Sequence, residues 1–387
     1  MRSLHANSKL YPMNDLPMKR SEFLSSAGIA ALGLLGAKAV SAQTPAASNA
    51  SAPLQPFKMY VGHQHDHSSG TLTLLSALGV KNICSGLPAR RMGEEWSVDG
   101  LVRLRKHVES FGVTLDAVPL PMSSSPVAKA EYPEIFLDKS IARDKAIDEI
   151  CQMIRNAGKA GIPLLKYNFT FLGVVRTGKA HGRGGALDPN FIYSKAKPTP
   201  AVTQAGLITA EENWARIEYF LSRVVPVATE CKVKLALHPN DPGLPQDRPY
   251  QGIHAVLSSV EGLKRFVDTI PSPYHGLNFC QGTICEMLKD PNKEIGDIIR
   301  YFGTRGKIFN VHFRNIKGGF LNFQECFPDE GDVNMIAALR AYKEVGFQGM
   351  IMPDHVPLIE SDVERARAFS FCFGYIQALL QVSKQEV

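Results

Sequence analysis

Two histidines, one cysteine and one aspartate stand in this chain where short apolar runs stop: His238, Cys280, His312 and Asp354. Along an extended strand, alternate residues share a face. In the run 233–238, Val233, Leu235 and Leu237 therefore point one way and Lys234, Ala236 and His238 the other. The same split groups Asn278 with Cys280, Asn310 with His312, and Met350 and Met352 with Asp354, against Leu277 and Phe279, Phe309 and Val311, and Ile351. If the aliphatic faces meet helices, four successive strands turn His238, Cys280, His312 and Asp354 inward at one rim. Two imidazoles, a thiolate and a carboxylate converging there suit a divalent transition metal with room left for a substrate. Taken singly, each has a plainer explanation: His238 before Pro239 is a turn residue, Cys280 a small buried hydrophobe, Asp354 a helix cap. The conjunction on four strand ends favours the metal site, and His355, next to Asp354, joins the residues available for chemistry.

Such a rim needs strands that all run the same way. Eight apolar runs qualify: 58–62, 80–84, 113–119, 162–167, 233–237, 276–279, 308–311 and 347–352. Helical patterns separate and follow them at 98–111, 141–160, 210–231, 260–269, 294–302, 333–345 and 362–380, with Gly112, Gly161 and Gly346 at helix ends. Strand then helix, repeated eight times, predicts an α/β fold, a single-domain (β/α)8 barrel of the TIM type whose carboxyl-end loops carry the site. An open doubly wound sheet would offer a glycine-rich turn after its first strand, and Val61-Gly62-His63-Gln64-His65 is not one. Two long loops, 120–139 and 171–209, follow strands and read as lids or binding walls, with His181 to Gly185 as a flexible lid segment. His63, His65 and His67 read as substrate contacts or as supports for the ligands. The alternative, a His-x-His metal pair of the amidohydrolase kind, fits poorly beside Cys280.

The front of the chain differs from the rest. Lys19 and Arg20, an apolar stretch from Ile29 to Leu35, and Val40-Ser41-Ala42 form an export signal, with cleavage expected near Ala42. Residues 1–42 are thus an N-terminal extension and signal, 43–56 a flexible linker rich in Ala, Ser and Pro, and 57–387 the barrel. The mature protein is expected to be exported, to the periplasm, without stable membrane insertion, because the apolar stretch is short and broken by glycines. Removing 1–42 lowers the formal net charge from +6 to +3, which gives no support for a nucleic-acid partner. The seven cysteines lack close pairing motifs and read as core thiols apart from Cys280. A small molecule is the expected partner, and a homo-oligomer is left open.

Several motifs resemble those of the mannonate dehydratases, within the xylose-isomerase-like barrels. They are His238-Pro239-Asn240-Asp241-Pro242, Asn278-Phe279-Cys280-Gln281-Gly282-Thr283, Val311-His312-Phe313-Arg314-Asn315 and Pro353-Asp354-His355, with Tyr167-Asn168-Phe169, Arg176-Thr177 and the stretch from Phe323 to Met335 between them. The resemblance implies a hydro-lyase acting on a sugar acid, with Mn2+ or Fe2+ held by His238, Cys280, His312 and Asp354. It implies His355 as the catalytic acid/base. Arg176 and Arg314 are candidates to clamp the substrate carboxylate in a two-pronged contact, the alternative for either being a salt bridge between loops. The chain departs from that pattern at Met352 and Val356, where arginine and glycine are usual, and in the short stretch after Pro357, which carries no tyrosine. Weak or absent activity on D-mannonate and better activity on a related sugar or sugar acid are therefore expected. Sugar isomerisation or epimerisation at the same metal is the first alternative, and an exported sugar-binding protein without catalysis the second.

Overall fold

Ser97, Ser140, Thr209, Ser259, Asp290 and Asn334 each accept a hydrogen bond from the backbone N–H three residues on, and each opens a helix. A cap of this kind contributes roughly 1 kcal/mol to where a helix starts. The helices so opened are Val98–Glu109, Ile141–Lys159, Ala210–Cys231, Val260–Thr269, Pro291–Gly303 and Met335–Glu344. Pro291 needs no N–H at the first position, and with the Asp290 cap it starts its helix three residues before the expected 294. A further helix, Ser69–Ala77, is capped by Ser68. The computed structural model describes residues 58–137, 139–196, 203–362 and 364–385; the expected export signal and linker lie outside them. Among the described residues no helix is long and apolar enough to cross a membrane.

Between these helices lie β1 (Met59–Gln64), β2 (Asn82–Cys84), β3 (Thr114–Pro119) and β4 (Leu164–Asn168). Next in the chain come β5 (Gly178–His181) and β6 (Leu187–Ile192), then β7 (Lys234–His238), β8 (His275–Cys280) and β9 (Ile308–His312). The remaining strands are β10 (Ile316–Gly319), β11 (Asn322–Glu325) and β12 (Gly349–Met352). Eight of them close into a parallel barrel in the order β1-β12-β9-β8-β7-β4-β3-β2. This is the expected (β/α)8 barrel. Val233, Leu235 and Leu237 are buried against the helices, while Leu164, Ala236, Met350 and Met352 fill the interior. Gly62 lies against Met350 of the neighbouring β12, and a Cβ there would stand 2.1 Å from the Met350 sulfur.

Three expectations change. Phe309 was assigned to the outer face, but it packs inside with Leu164 and Met350, because the β8–β9 ladder shifts register between Leu277 and Asn278. The loop 171–209 is not simply a lid. β5 and β6 pair antiparallel through a turn carrying Gly184 at φ 62° and Gly185 at φ 80°, and β6 pairs with β11 to give a four-stranded sheet, β10-β11-β6-β5. Phe191 and Phe323 are buried across that pairing with ring centroids 6.0 Å apart. The last helix runs Ala366–Gln385, later than expected, because Arg365 adopts φ 57° and the Asp362 carboxylate accepts from the N–H groups of Arg367 and Ala368.

Candidate active site

The four strand-end residues meet. One ligand atom from each of His238, Cys280, His312 and Asp354 lies within 4.8 Å of the others, at the carboxyl ends of β7, β8 and β9 and just beyond β12. The ladder explains the meeting, since Cys280 pairs with His312, and Met352, also opposite His312, is two residues before Asp354. His238 Nδ1 sits 2.7 Å from the Pro239 carbonyl, which places the proton on Nδ1 and leaves Nε2 with its lone pair. Burial pushes the His238 pKa down to about 3, so the ring is a neutral donor. His312 is fully buried; its Nδ1 lies 3.1 Å from Asp354 Oδ1, and its Nε2 has no hydrogen-bond partner among the described residues. A buried imidazole whose Nε2 is left unpaired beside a carboxylate is the condition of a ligand that shares a cation with it.

Cys280 is likewise prepared. Its sulfur accepts from the Thr283 N–H at 3.4 Å and from Thr283 Oγ1 at 3.1 Å, and Arg314 Nη2 stands 3.9 Å away. Burial, and then Asp354, raise its pKa, so a thiolate here needs a further positive charge beside it. Burial alone would also raise the pKa of Asp354, but His355, His312 and Arg314 hold it well below the ordinary carboxylate range. Two neutral or neutralisable nitrogens, a hydrogen-bonded sulfur and an ionised carboxylate fit a divalent transition metal.

His355 lines the cavity above these four. Its Nδ1 is 2.9 Å from Glu325 Oε1 and 3.4 Å from Arg314 Nη1, which leaves Nε2 for a substrate. Burial opposes a charge on this ring, but Asp354 and Glu325 outweigh it and raise the pKa. Glu325 ends β11, so the small antiparallel sheet is what orients His355.

Arg176 and Arg314 are placed differently from the expected carboxylate clamps, since neither lines the cavity. Arg176 pairs with Asp241 through both Nη atoms and with Glu325 through Nε at 2.9 Å. Arg314 reaches Glu286 at 2.8 Å and Asp241, Glu325 and Asp354 at 3.2 Å each. Their forks are taken up by internal acids, so both hold the loops of the rim together.

The three early histidines separate. His63 points outward and packs edge-on against Phe369 and Phe373, with centroids 5.0 and 5.6 Å away, where burial lowers its pKa to about 4. That orientation removes the amidohydrolase pair. His65 has φ 78°, which ends the alternation, and it lines the cavity; His67 Nδ1 accepts from the Gly86 N–H at 3.0 Å. The inward residue at the end of β1 is Gln64, whose Nε2 donates to Asp354 Oδ1 at 2.9 Å. Sequence reasoning missed Gln64 and Lys166, both of which strand parity would have placed inside. It also missed Glu286 and Glu325, for which no local signal exists.

The cavity holds about 180 Å3 and is walled by loops after β3, β4 and β7. A parallel barrel with a cation-ready cluster at its carboxyl mouth defines the class: a (β/α)8 enzyme that works at the ends of its strands. The family model of D-mannonate dehydratase (UxuA) matches residues 57–185 and 202–384, and the chain belongs to that family of metal-dependent hydro-lyases acting on a sugar acid. Mannonate dehydratase of Thermotoga petrophila is 26% identical over 382 residues, covering 85% of this chain and 98% of that protein. Mannonate dehydratase 2 of Halalkalibacterium halodurans is 28% identical over 310 residues, covering 73% and 85%. Among solved structures, mannonate dehydratase from Streptococcus suis superposes with a TM-score of 0.68 at 24% identity, covering 84% of this chain and 96% of the other.

Proposed function

We propose that the protein removes water from D-mannonate or a closely related aldonate, with Mn2+ or Fe2+ held by His238, Cys280, His312 and Asp354. The observation that carries this reading is the convergence of those four side chains within 4.8 Å. The proton leaves C2, beside the carboxylate; the C3 hydroxyl leaves as water; the enol left behind becomes a 2-keto-3-deoxy acid. A divalent ion bound at the four side chains would draw negative charge onto substrate oxygens and ease loss of a weakly acidic proton. His355, steadied by Glu325 at Nδ1, moves that proton through Nε2. Incubating Mn2+-loaded protein with D-mannonate and a panel of aldonates, with thiobarbiturate detection of the keto-deoxy product, tests the reading. Absence of product from every sugar acid would refute it.

One observation favours a second reading. No tyrosine lines the cavity among the described residues, and sugar isomerisation or epimerisation does not call for one. Solvent deuterium appearing in an aldose or ketose, with no keto-deoxy acid formed, would move the assignment there. The charged, apolar and small-residue segments ending at Ala42 support export to the periplasm, with a mature start at Gln43. Terminal sequencing of fractionated cells decides that point, and an uncleaved cytoplasmic chain would refute it.

A further inference from the structure

A sugar acid needs a partner for its carboxylate, and both arginines that the sequence suggested are occupied within the ion network. Among the described residues lining the cavity, Lys166 is the only lysine or arginine. Its position follows from β4, where Leu164, Lys166 and Asn168 face inward and Asn168 pairs in register with His238. Lys166 is 5% exposed, and its Nζ donates to Gln64 Oε1 at 2.8 Å. Among the described residues no carboxylate lies within ion-pair distance of it. An ammonium has three donors, and burying one without a counter-ion is unfavourable until an anion joins it. Gln64 turns its other end to Asp354 Oδ1 at 2.9 Å, so one amide both anchors the ammonium and steadies a strand-end carboxylate beside it.

We propose that Lys166 holds the carboxylate of the bound sugar acid and supplies the site's preference for an anionic over a neutral polyol. This rests on the sugar-acid reading of the substrate. The ammonium reaches Asp354 Oδ1 through Gln64, whereas Arg314 stands 3.2 Å from the other Asp354 oxygen. A carboxylate on Lys166 gives the ammonium a counter-ion that none of the described residues supplies.

Calorimetric titration of Mn2+-loaded wild type, Lys166→Met and Lys166→Gln with D-mannonate and with neutral D-mannitol tests this, alongside elemental analysis of each protein. Gln keeps a donor for Gln64 Oε1, so loss of fold in the Met variant leaves the other to read. The expected result is D-mannonate affinity weakened roughly 10–100-fold in the variants, the range of one charge-assisted hydrogen bond, with D-mannitol affinity and metal content unchanged. Unchanged D-mannonate affinity in a folded variant overturns the proposal. Equal loss for both ligands also overturns it, because Lys166 would then serve the structure alone. Wild type that prefers no sugar acid over D-mannitol refutes the sugar-acid reading itself, an outcome distinct from a wild-type preference that survives in the variants.

Discussion

Replacing Arg314 with methionine measures how far the rim depends on its buried charges. The arginine side chain is 1% exposed, and it stands 2.8 Å from Glu286 and 3.2 Å from Asp241, Glu325 and Asp354. Methionine keeps much of the volume, so the main change is the loss of a counter-charge that four carboxylates share. Removing one partner of a buried ion pair typically costs ~3–5 kcal/mol. Arg176 still faces Asp241 and Glu325 in the variant, which keeps the expected loss in that range rather than multiplying it by the number of acids. Glu286 suffers most. It is fully buried, Arg176 is 3.7 Å away, and burial followed by the nearby Asp241 already pushes its pKa well above the ordinary value. Adding Glu286→Gln to the Arg314→Met protein is therefore expected to return about 1–2 kcal/mol, the cost of one uncompensated buried group. Thermal unfolding of chelated protein is the assay, since chelation removes any contribution from metal lost through Asp354 or Cys280. A fall in Tm on the order of 5–10 °C is expected. Stability of Arg314→Met within about 1 kcal/mol of wild type, well below the range for a broken buried pair, would refute the argument.

Three further outcomes are expected. Cys280→Ala should lose bound divalent metal, and chelation should then change its Tm much less than that of wild type, because an ion bound only by the folded state stabilises it by mass action; stoichiometric metal in the variant would remove the thiolate from the ligand set. His355→Asn should keep its metal while turnover of the best aldonate falls about 10^2–10^4-fold, and a loss of less than tenfold would show that the proton moves elsewhere. His275 is fully buried, its Nε2 is 2.9 Å from the Phe266 carbonyl, and burial lowers its pKa to about 4. Its folded pKa lies below its unfolded one, so its contribution to stability is complete above about pH 6.5 and is lost as the pH falls towards 4. His275→Gln should flatten the wild-type decline between pH 7 and pH 5 by about 2 kcal/mol; parallel stability curves would show that His275 protonates without consequence.

Strand parity served the sequence reading well wherever a strand is regular, and it failed where the ladder is not. His238, Cys280, His312 and Asp354 came together because β7, β8 and β12 keep their alternation up to the rim and β9 keeps it from Asn310 onward, past its register shift. Phe309 fell on the wrong face because the register shift beside it cannot be seen in a run of apolar residues. A regular strand would have put His63 and His65 on one face, as the His-x-His alternative requires, yet β1 ends at Gln64 and a left-handed turn at His65 breaks the pattern. Lys166 was legible by the rule that found the ligands, since it alternates with Leu164 and Asn168; a lysine inside an apolar strand is unfavourable without a reason, and the cavity supplies one. The acids around Arg314 are another matter. Glu325 and Arg176 are 149 residues apart, and they meet because two loops, one after β4 and one after β9, pair as β6 and β11. No local periodicity encodes that pairing. Local alternation therefore selects the side chains that reach the rim, whereas the distant strand pairing sets the charge around His355. A chain that kept the four strand-end residues but lost the β6–β11 pairing should still gather them, yet leave His355 without the carboxylate that orients it.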